Sequence, residues 1–408
     1  MAMAKANLLT LDDLDLAGLS GQRVFVRVDF NVPISEDHKV LDATRLEEAI
    51  PTLQELSAAG CRVILASHLG RPKGKRDPRY TLRPVADELR QLMNQAVRFA
   101  PDCVGEEVES LIRDMDPGEI LLLENLRFHA EEEKNEPFFA EKLAALADAY
   151  VDDAFGSAHR AHASVVGIAE RLERKAAGRL LAREVEALGR LLGEPERPFA
   201  ALLGGAKIEG KIDTLENLLP RLDLLLLGGG MANTFLAAQG HDLGASLFEP
   251  DRLDLARQIL ERARAKGTEV ILPHDLVVTD DLDVQGRVET VPADRVPAGT
   301  KAVDVGPRTR KAFAEAIGRA RTLFWNGPLG VFEKPPFDAG TREVAQALAA
   351  CPGFSVIGGG ETVAAVHQAG VADKIGHVST GGGASLEFLA GKTLPGVAVL
   401  LETSEKGR

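Results

Sequence analysis

The run LDLLLLGGG, from Leu222 to Gly230, sets an almost unbroken apolar stretch directly against three glycines. A strand with one wet face alternates apolar and polar residues, so a continuous run reads as a strand buried on both faces. Glycine at its carboxyl end lets the backbone come close to a ligand. A helix starting there aims unpaired N–H groups and a partial positive charge at the same point, which suits phosphate. The arrangement recurs at Gly204-Gly205 after FAALL (Phe199–Leu203), at Gly358-Gly359-Gly360 closing FSVIG, and at Gly381-Gly382-Gly383. Repeated junctions of this kind point to a ligand outside the carboxyl ends of the strands, where open α/β sheets bind.

Further runs of the same type lie outward from these. They are RVFVRV (Arg23–Val28), RVILA (Arg62–Ala66), EILLL (Glu119–Leu123), EVIL (Glu269–Leu272) and RTLFW (Arg321–Trp325). Between them, Ala43–Ala58, Asp251–Ala265 and Thr341–Ala350 show apolar residues at helical spacing. Strand and helix in alternation mean an α/β fold with mostly parallel sheet. Roughly eight to twelve such units exceed one comfortable open sheet, so two sheets in two lobes are expected. The segment RLLAREVEALGRLLGEPERP reads as one amphipathic helix ended by Gly193 and Pro195. It divides the chain into a lobe over 1–178, a connecting helix over 179–195 and a second lobe over 196–390. The stretch Asp275–Pro307 has no helical period and reads as short antiparallel strands or an extended excursion.

The bulk properties narrow the classes. The chain has 408 residues, 45% hydrophobic and 27% charged, as in an ordinary globular protein. Its formal charge of −13 argues against nucleic acid or an anionic membrane as main partner. Cys61, Cys103 and Cys351 are too scattered for a disulfide framework, and a reducing compartment fits best. The start MAMAKANLLTLDDLD lacks the apolar core of a signal peptide, and no apolar stretch approaches the roughly 20 residues of a membrane span. A cytoplasmic protein is expected.

Standard phosphate fingerprints are missing. Gly228-x-Gly230 is followed by Asn233 and Gly358-x-Gly360 by Val363, so neither completes GxGxxG. Gly391-Lys392-Thr393 has Leu386 where a Walker loop needs glycine. The first half supplies cations instead. Asp29 and Asn31 end the first predicted strand, and Arg45 opens the helix after it. His68 and Arg71 end the second, Arg127 follows the third, and His159, Arg160 and His162 follow the fourth. Arginine forks match phosphate and carboxylate oxygens in pairs. Grouped at strand ends, they describe a pocket for a small, multiply anionic substrate.

All of these residues except Arg45 lie within motifs that resemble the phosphoglycerate kinase family. RVDFNVP, SHLGRPKG, LLLENLRFHAEEEKN, DDAFGSAHRAHAS, GGAKIEGKI, LLLLGGGMANTFL, VDVGPRT, FWNGPLGVFE and STGGGASLEFLAGKTLPGV occur in that family's order, from about Arg23 to Val397. The resemblance implies two Rossmann-like lobes, the first for 3-phosphoglycerate or 1,3-bisphosphoglycerate and the second for MgADP or MgATP. It also implies a tail, 391–408, that returns to the first lobe, and a monomer serving glycolysis, gluconeogenesis or carbon fixation.

Carried over residue by residue, the resemblance assigns substrate binding to Asp29, Asn31, Arg45, His68, Arg71, Arg127 and Arg160. A structural hydrogen-bonding role stands open for His162. Nucleotide binding falls to Lys207, Lys211, Gly229, Gly230, Asn326, Pro328, Glu333, Gly359, Gly360, Glu361 and Thr362. Lys207 and Lys211, four apart on an expected helix start, are placed to face one anion. Arg45, Lys211, Gly382 and Gly383 are the residues expected around the transferring phosphoryl group, with lobe closure bringing them together. Glu361 departs from the family's usual Asp at the Mg²⁺ position. It keeps the carboxylate but reaches one methylene further, and binding directly, through water, or mainly through nucleotide oxygens all stay open. A nicotinamide dehydrogenase would need the absent glycine fingerprint. A non-catalytic sugar-phosphate or nucleotide sensor differs from a kinase only in lacking turnover.

Overall fold

RVFVRV forms β1 (Arg23–Val28), whose positions from Val24 to Val28 are all buried because strands flank it on both sides and helices cover both faces. The computed structural model describes residues 7–283 and 286–402. The chain divides into two compact units, Met1–Glu186 with Thr393–Arg408, and Ala187–Lys392.

The first unit holds a six-stranded parallel sheet. Its other strands are β2 (Arg62–Ala66), β3 (Val97–Phe99), β4 (Ile120–Leu122), β5 (Ala149–Asp153) and β6 (Lys175–Ala177). They lie in the order β3-β4-β2-β1-β5-β6. Parallel neighbours need crossovers, and helices such as Thr44–Ala58, Arg83–Met93 and Pro137–Ala144 supply them. The strand count corrects the sequence expectation. β3 is three residues long and only Val97 is fully buried, so its hydrophobic signature is faint. Arg127 therefore follows the fourth strand, and the His159–His162 segment the fifth. Residues 393–402 complete this unit: Leu9 donates its N–H to the Leu400 carbonyl at 2.9 Å, and Gly396 to Ala158 at 2.8 Å. The end of the expected tail, 403–408, lies outside the described residues.

The helix Arg179–Leu192 runs through the boundary between the units in the chain. Its first amides, Leu180 and Leu181, donate to Asp153 Oδ1 at 2.9 and 3.1 Å, satisfying the donors every helix start leaves open.

The second unit repeats the architecture. β7 (Phe199–Leu203), β8 (Leu224–Leu227), β9 (Glu269–Ile271), β13 (Thr322–Asn326), β14 (Phe354–Gly358) and β15 (His377–Val378) form a parallel sheet in the order β15-β14-β13-β7-β8-β9. Between β9 and β13, Asp275–Pro307 yields β10 (Asp275–Thr279), β11 (Val288–Pro292) and β12 (Lys301–Val305), an antiparallel sheet with β10 in the centre. In each parallel sheet the winding direction reverses at one pair of neighbours, β1 and β5 in the first unit, β7 and β13 in the second. Such switch points leave a crevice at the carboxyl ends of the strands. Among the described residues, no helix is long and apolar enough to cross a membrane.

Candidate functional site

At the first switch point the loops after the strands are wired to one another. Arg45 Nη1 lies 3.0 Å from Asp29 Oδ1 and donates to the Asn31 carbonyl at 3.3 Å. The Asn31 side-chain oxygen accepts from Gly70 N–H at 2.8 Å, and the Gly70 carbonyl accepts from Arg127 Nη1 at 2.8 Å. Arg127 is buried, with Nε 3.2 Å from Glu133 Oε1. Arg160 Nε donates to His159 Nε2 at 3.1 Å. Arg71 is exposed. His68 is buried, and burial together with the cationic charges of Arg27, Arg127, Arg160 and Arg45 holds its pKa well below the usual range, so the ring is neutral. The pKa of His162 is lowered to about 3 mainly by burial; its Nδ1 sits 3.8 Å from the buried Glu132, a packing contact rather than an ion pair.

The side chains around these cations are positioned by residues the sequence reading passed over. Asn125 donates to the carbonyls of Leu69 and Tyr80, each at 2.8 Å, and accepts from Arg127 N–H at 3.0 Å. One amide thus fixes the loops after β2 and β4 together. Glu124 accepts from Thr81 Oγ1, Leu82 N–H and Asn125 N–H at 2.7–2.9 Å. Both residues stand inside LLLENLRFH, where the sequence signal was spent on the arginine alone.

The second switch point is built from backbone packed on backbone. Gly204 N–H donates to the Asn326 carbonyl at 2.9 Å, and Gly205 N–H to Pro328 at 2.6 Å. A Cβ on Gly204 would lie 2.3 Å from the Pro328 oxygen, so only glycine permits this approach. Beside it lies a cavity of about 330 Å³ lined by Gly229, Gly230, Pro328, Glu333 and Glu361, among others. Leu276, Val303 and Asp304, from β10 and β12, add an apolar wall and a carboxyl group to the same cavity. Val303 and Asp304 stand in VDVGPRT, but nothing in the sequence placed them or Leu276 at this cavity.

Lys211 is half-buried, and its ammonium donates to the Gly204 carbonyl. Burial lowers its pKa to about 8. The expected helix start beneath the two lysines is absent: the helix begins at Ile212, and Gly210, at φ +81°, breaks the turn before it. Lys207 is exposed while Lys211 folds under Gly205, so the two are not presented as an i, i+4 helical pair. Asn326 Nδ2 donates to the Gly358 carbonyl at 2.7 Å, and the Thr362 hydroxyl accepts from Gly327 N–H at 2.7 Å. Both side chains are buried and pin the loops after β13 and β14. Gly359 has φ +93° and Gly382 φ +53°; open space surrounds the Cβ positions of Gly360, Gly382 and Gly383.

The family model for phosphoglycerate kinase matches residues 11–392. The chain belongs to the phosphoglycerate kinase family. It is 58% identical over 391 residues to a phosphoglycerate kinase of Desulforudis audaxviator, covering 96% of this chain and 98% of that one. It is 50% identical to a protein of Nicotiana tabacum named "Phosphoglycerate kinase, cytosolic", with 96% and 98% covered. A solved structure of phosphoglycerate kinase from Coxiella burnetii superposes with a TM-score of 0.87 at 40% identity, over 97% of this chain and 99% of that one. The two-lobed α/β fold expected from the sequence is that of the family, and phosphoglycerate kinases are phosphotransferases.

Among the described residues, three carboxyl groups line the cavity, Asp304, Glu333 and Glu361, and Glu361 is the one beside Lys211. Glu361 is exposed and attracts the Lys211 ammonium. Mg²⁺ takes one or two protein carboxylates and fills its octahedron with phosphate oxygens and water, so Glu361 beside a nucleotide-sized cavity fits it.

Proposed function

We propose that the chain catalyses reversible in-line phosphoryl transfer from 1,3-bisphosphoglycerate to MgADP, giving 3-phosphoglycerate and MgATP. The observation that carries this reading is the pairing of two different switch-point sites in one chain. One gathers Arg45, His68, Arg127 and Arg160 for a small polyanion. The other sets a glycine-lined cavity beside Lys211 and Glu361.

Transfer of this kind asks the protein for position and charge stabilisation rather than covalent chemistry. Asp29 and Asn31 orient the substrate hydroxyl, and His68, Arg71, Arg127 and Arg160 hold its acidic groups. Arg45 and Lys211 meet the charge on the moving phosphoryl group, with the amides of Gly382 and Gly383 as further donors. Glu333 takes the ribose hydroxyls, while Gly229, Gly230 and Pro328 give the base a flat apolar slot. Lys207, Gly359 and the helix start at Gly360, with Thr362 in its first turn, serve the phosphates, and Asn326 holds their loop. Glu361 would hold Mg²⁺, which neutralises phosphate oxygens when bound. Arg45 belongs to one unit and Lys211 to the other, so the reading includes closure of the units during turnover, which excludes water from the acyl phosphate. A monomer working in the cytoplasm completes the proposal.

The test is ADP release from MgATP by purified protein, with and without 3-phosphoglycerate. Turnover that needs both 3-phosphoglycerate and metal is expected. Binding of both ligands without turnover would leave a sensor, and failure to bind either would overturn the reading.

A further inference from the structure

Arg27 lies next to the carboxyl end of β1, almost wholly buried, opposite Ala66 of β2 and Asp152 of β5. A cation inside a strand demands partners, and every arm of the guanidinium has one. Nε donates to Ser164 Oγ at 2.9 Å, Nη1 to the Val28 carbonyl, and Nη2 to Ser157 Oγ at 3.3 Å. Ser164 in turn donates its hydroxyl to Glu132 Oε1 at 2.5 Å and its N–H to Oε2 at 3.0 Å, which links the guanidinium to a buried carboxyl group. The remaining contact is Nη2 to His68 Nδ1, at 3.1 Å.

That contact has only one chemical solution. A guanidinium carries donors and no acceptor, and it stays charged at any physiological pH. His68 Nδ1 must therefore be the bare, accepting nitrogen, and the ring's proton must sit on Nε2. A charged ring is ruled out by the same geometry, since it would turn N–H against N–H. Nε2 has no protein partner among the described residues, so its proton is available to a ligand.

We propose that Arg27 is a positioning residue that locks His68 as the neutral Nε2–H tautomer, making it a hydrogen-bond donor to an oxygen of the anionic substrate. Without Arg27, Nδ1 would be free to carry the proton and Nε2 to present a lone pair, which repels a carboxylate or phosphate oxygen. The inference rests on the reading of His68 as a substrate contact.

Imidazole nitrogen NMR of the full chain, uniformly ¹⁵N-labelled, tests the tautomer directly. His68 is assigned by comparison with His68→Gln. The unmodified protein should show a protonated Nε2 and a bare Nδ1 at neutral pH, and adding 3-phosphoglycerate should move the Nε2 and Hε2 signals. A protonated Nδ1, or a charged ring, would overturn the proposal without any mutation of Arg27. The expected tautomer with signals indifferent to 3-phosphoglycerate, in protein that turns it over, would remove His68 from the substrate site and the proposal's functional half with it.

Variants add the kinetic arm. Arg27→Met should mix the tautomers and raise KM for 3-phosphoglycerate by about tenfold or more, with kcat within about threefold. Arg27→Lys, still a pure donor, should recover both the tautomer and most of the KM. A folded Arg27→Met protein with the original tautomer and KM would count against the inference.

Discussion

Lys211 donates its ammonium proton to the carbonyl of Gly204, directly beside the glycines of the second switch point. A Cβ on Gly205 would stand 2.7 Å from Nζ, and one on Gly327 2.5 Å, so the lysine occupies space those glycines leave. Burial lowers its pKa from 10.5 to about 8, with the Glu361 charge working in the opposite direction. Between those two values the unfolded chain holds a proton that the folded chain has released, so the lysine's contribution to stability improves as pH rises through that window. Function runs the other way. kcat/KM for nucleotide, which reports the free enzyme, should fall as pH rises through about 8. Lys211→Arg should be slower but free of that limb, since arginine stays charged; a flat wild-type profile would contradict the assignment.

Arg45 should matter for rate more than for folding. It is one-third exposed, and its pairing with Asp29 is a contact of the kind that contributes about 1 kcal/mol or less to stability. Arg45→Ala should leave the denaturation midpoint almost unchanged and lower kcat by about 100-fold or more, the size of a lost transition-state donor. Stopped or quenched assays at saturating substrates measure this. Near-normal turnover would remove Arg45 from the transferring group.

Glu361 invites a graded substitution. Glu361→Asp should retain most turnover while changing the Mg²⁺ concentration needed for half-maximal rate, because the carboxylate shortens by one methylene. Glu361→Gln should raise that concentration further, about tenfold. A metal titration of initial rates reads both. Equal metal dependence in all three proteins would mean that nucleotide and water oxygens hold the ion alone.

Asp153 offers a test of stability. Burial lifts its pKa from 3.8 to about 7, aided by the charge of Asp152 and opposed by the amides of Leu180 and Leu181. From about pH 4 to 7 the folded chain keeps a proton that the unfolded chain has lost, so this residue makes the fold less stable as pH rises across that range. Asp153→Asn keeps an oxygen for the two amides and drops the charge. It should be more stable than the parent at pH 8 by roughly 2–4 kcal/mol, with the gap closing towards pH 4. Denaturant melts at both pH values decide it; a constant gap would show that proton uptake is not the cause.

Much of the architecture could be read from local pattern. β1, β2, β7 and β14 occupy the residues expected because continuous apolar runs ended by polar or glycine residues have few other readings. β3 was missed because three residues at a sheet edge bury too little to leave a periodic signal. Among site residues, the cations could be picked out because charge next to a strand end is conspicuous. Arg27 stands in plain view within RVFVRV, yet its meaning depends on His68, Ser157 and Ser164, which are distant in sequence. Asn125 and Thr362 carry the same lesson: their hydrogen bonds to backbone exist only once separate loops have met. The turn at Gly210 separated Lys207 from Lys211 because a positive φ overrode helical spacing.

The pairing of Leu9 with Leu400 has a consequence for synthesis. The first unit draws its final piece, from Thr393 onward, from the far end of the chain, whereas the second is one continuous segment. On the ribosome the half that is translated first must wait for the codons from Thr393 onward before its fold is whole. The half translated second has all its residues earlier. Truncating the closing residues should therefore wound the unit that carries Arg45 and His68, leaving the glycine-lined cavity a complete chain of its own.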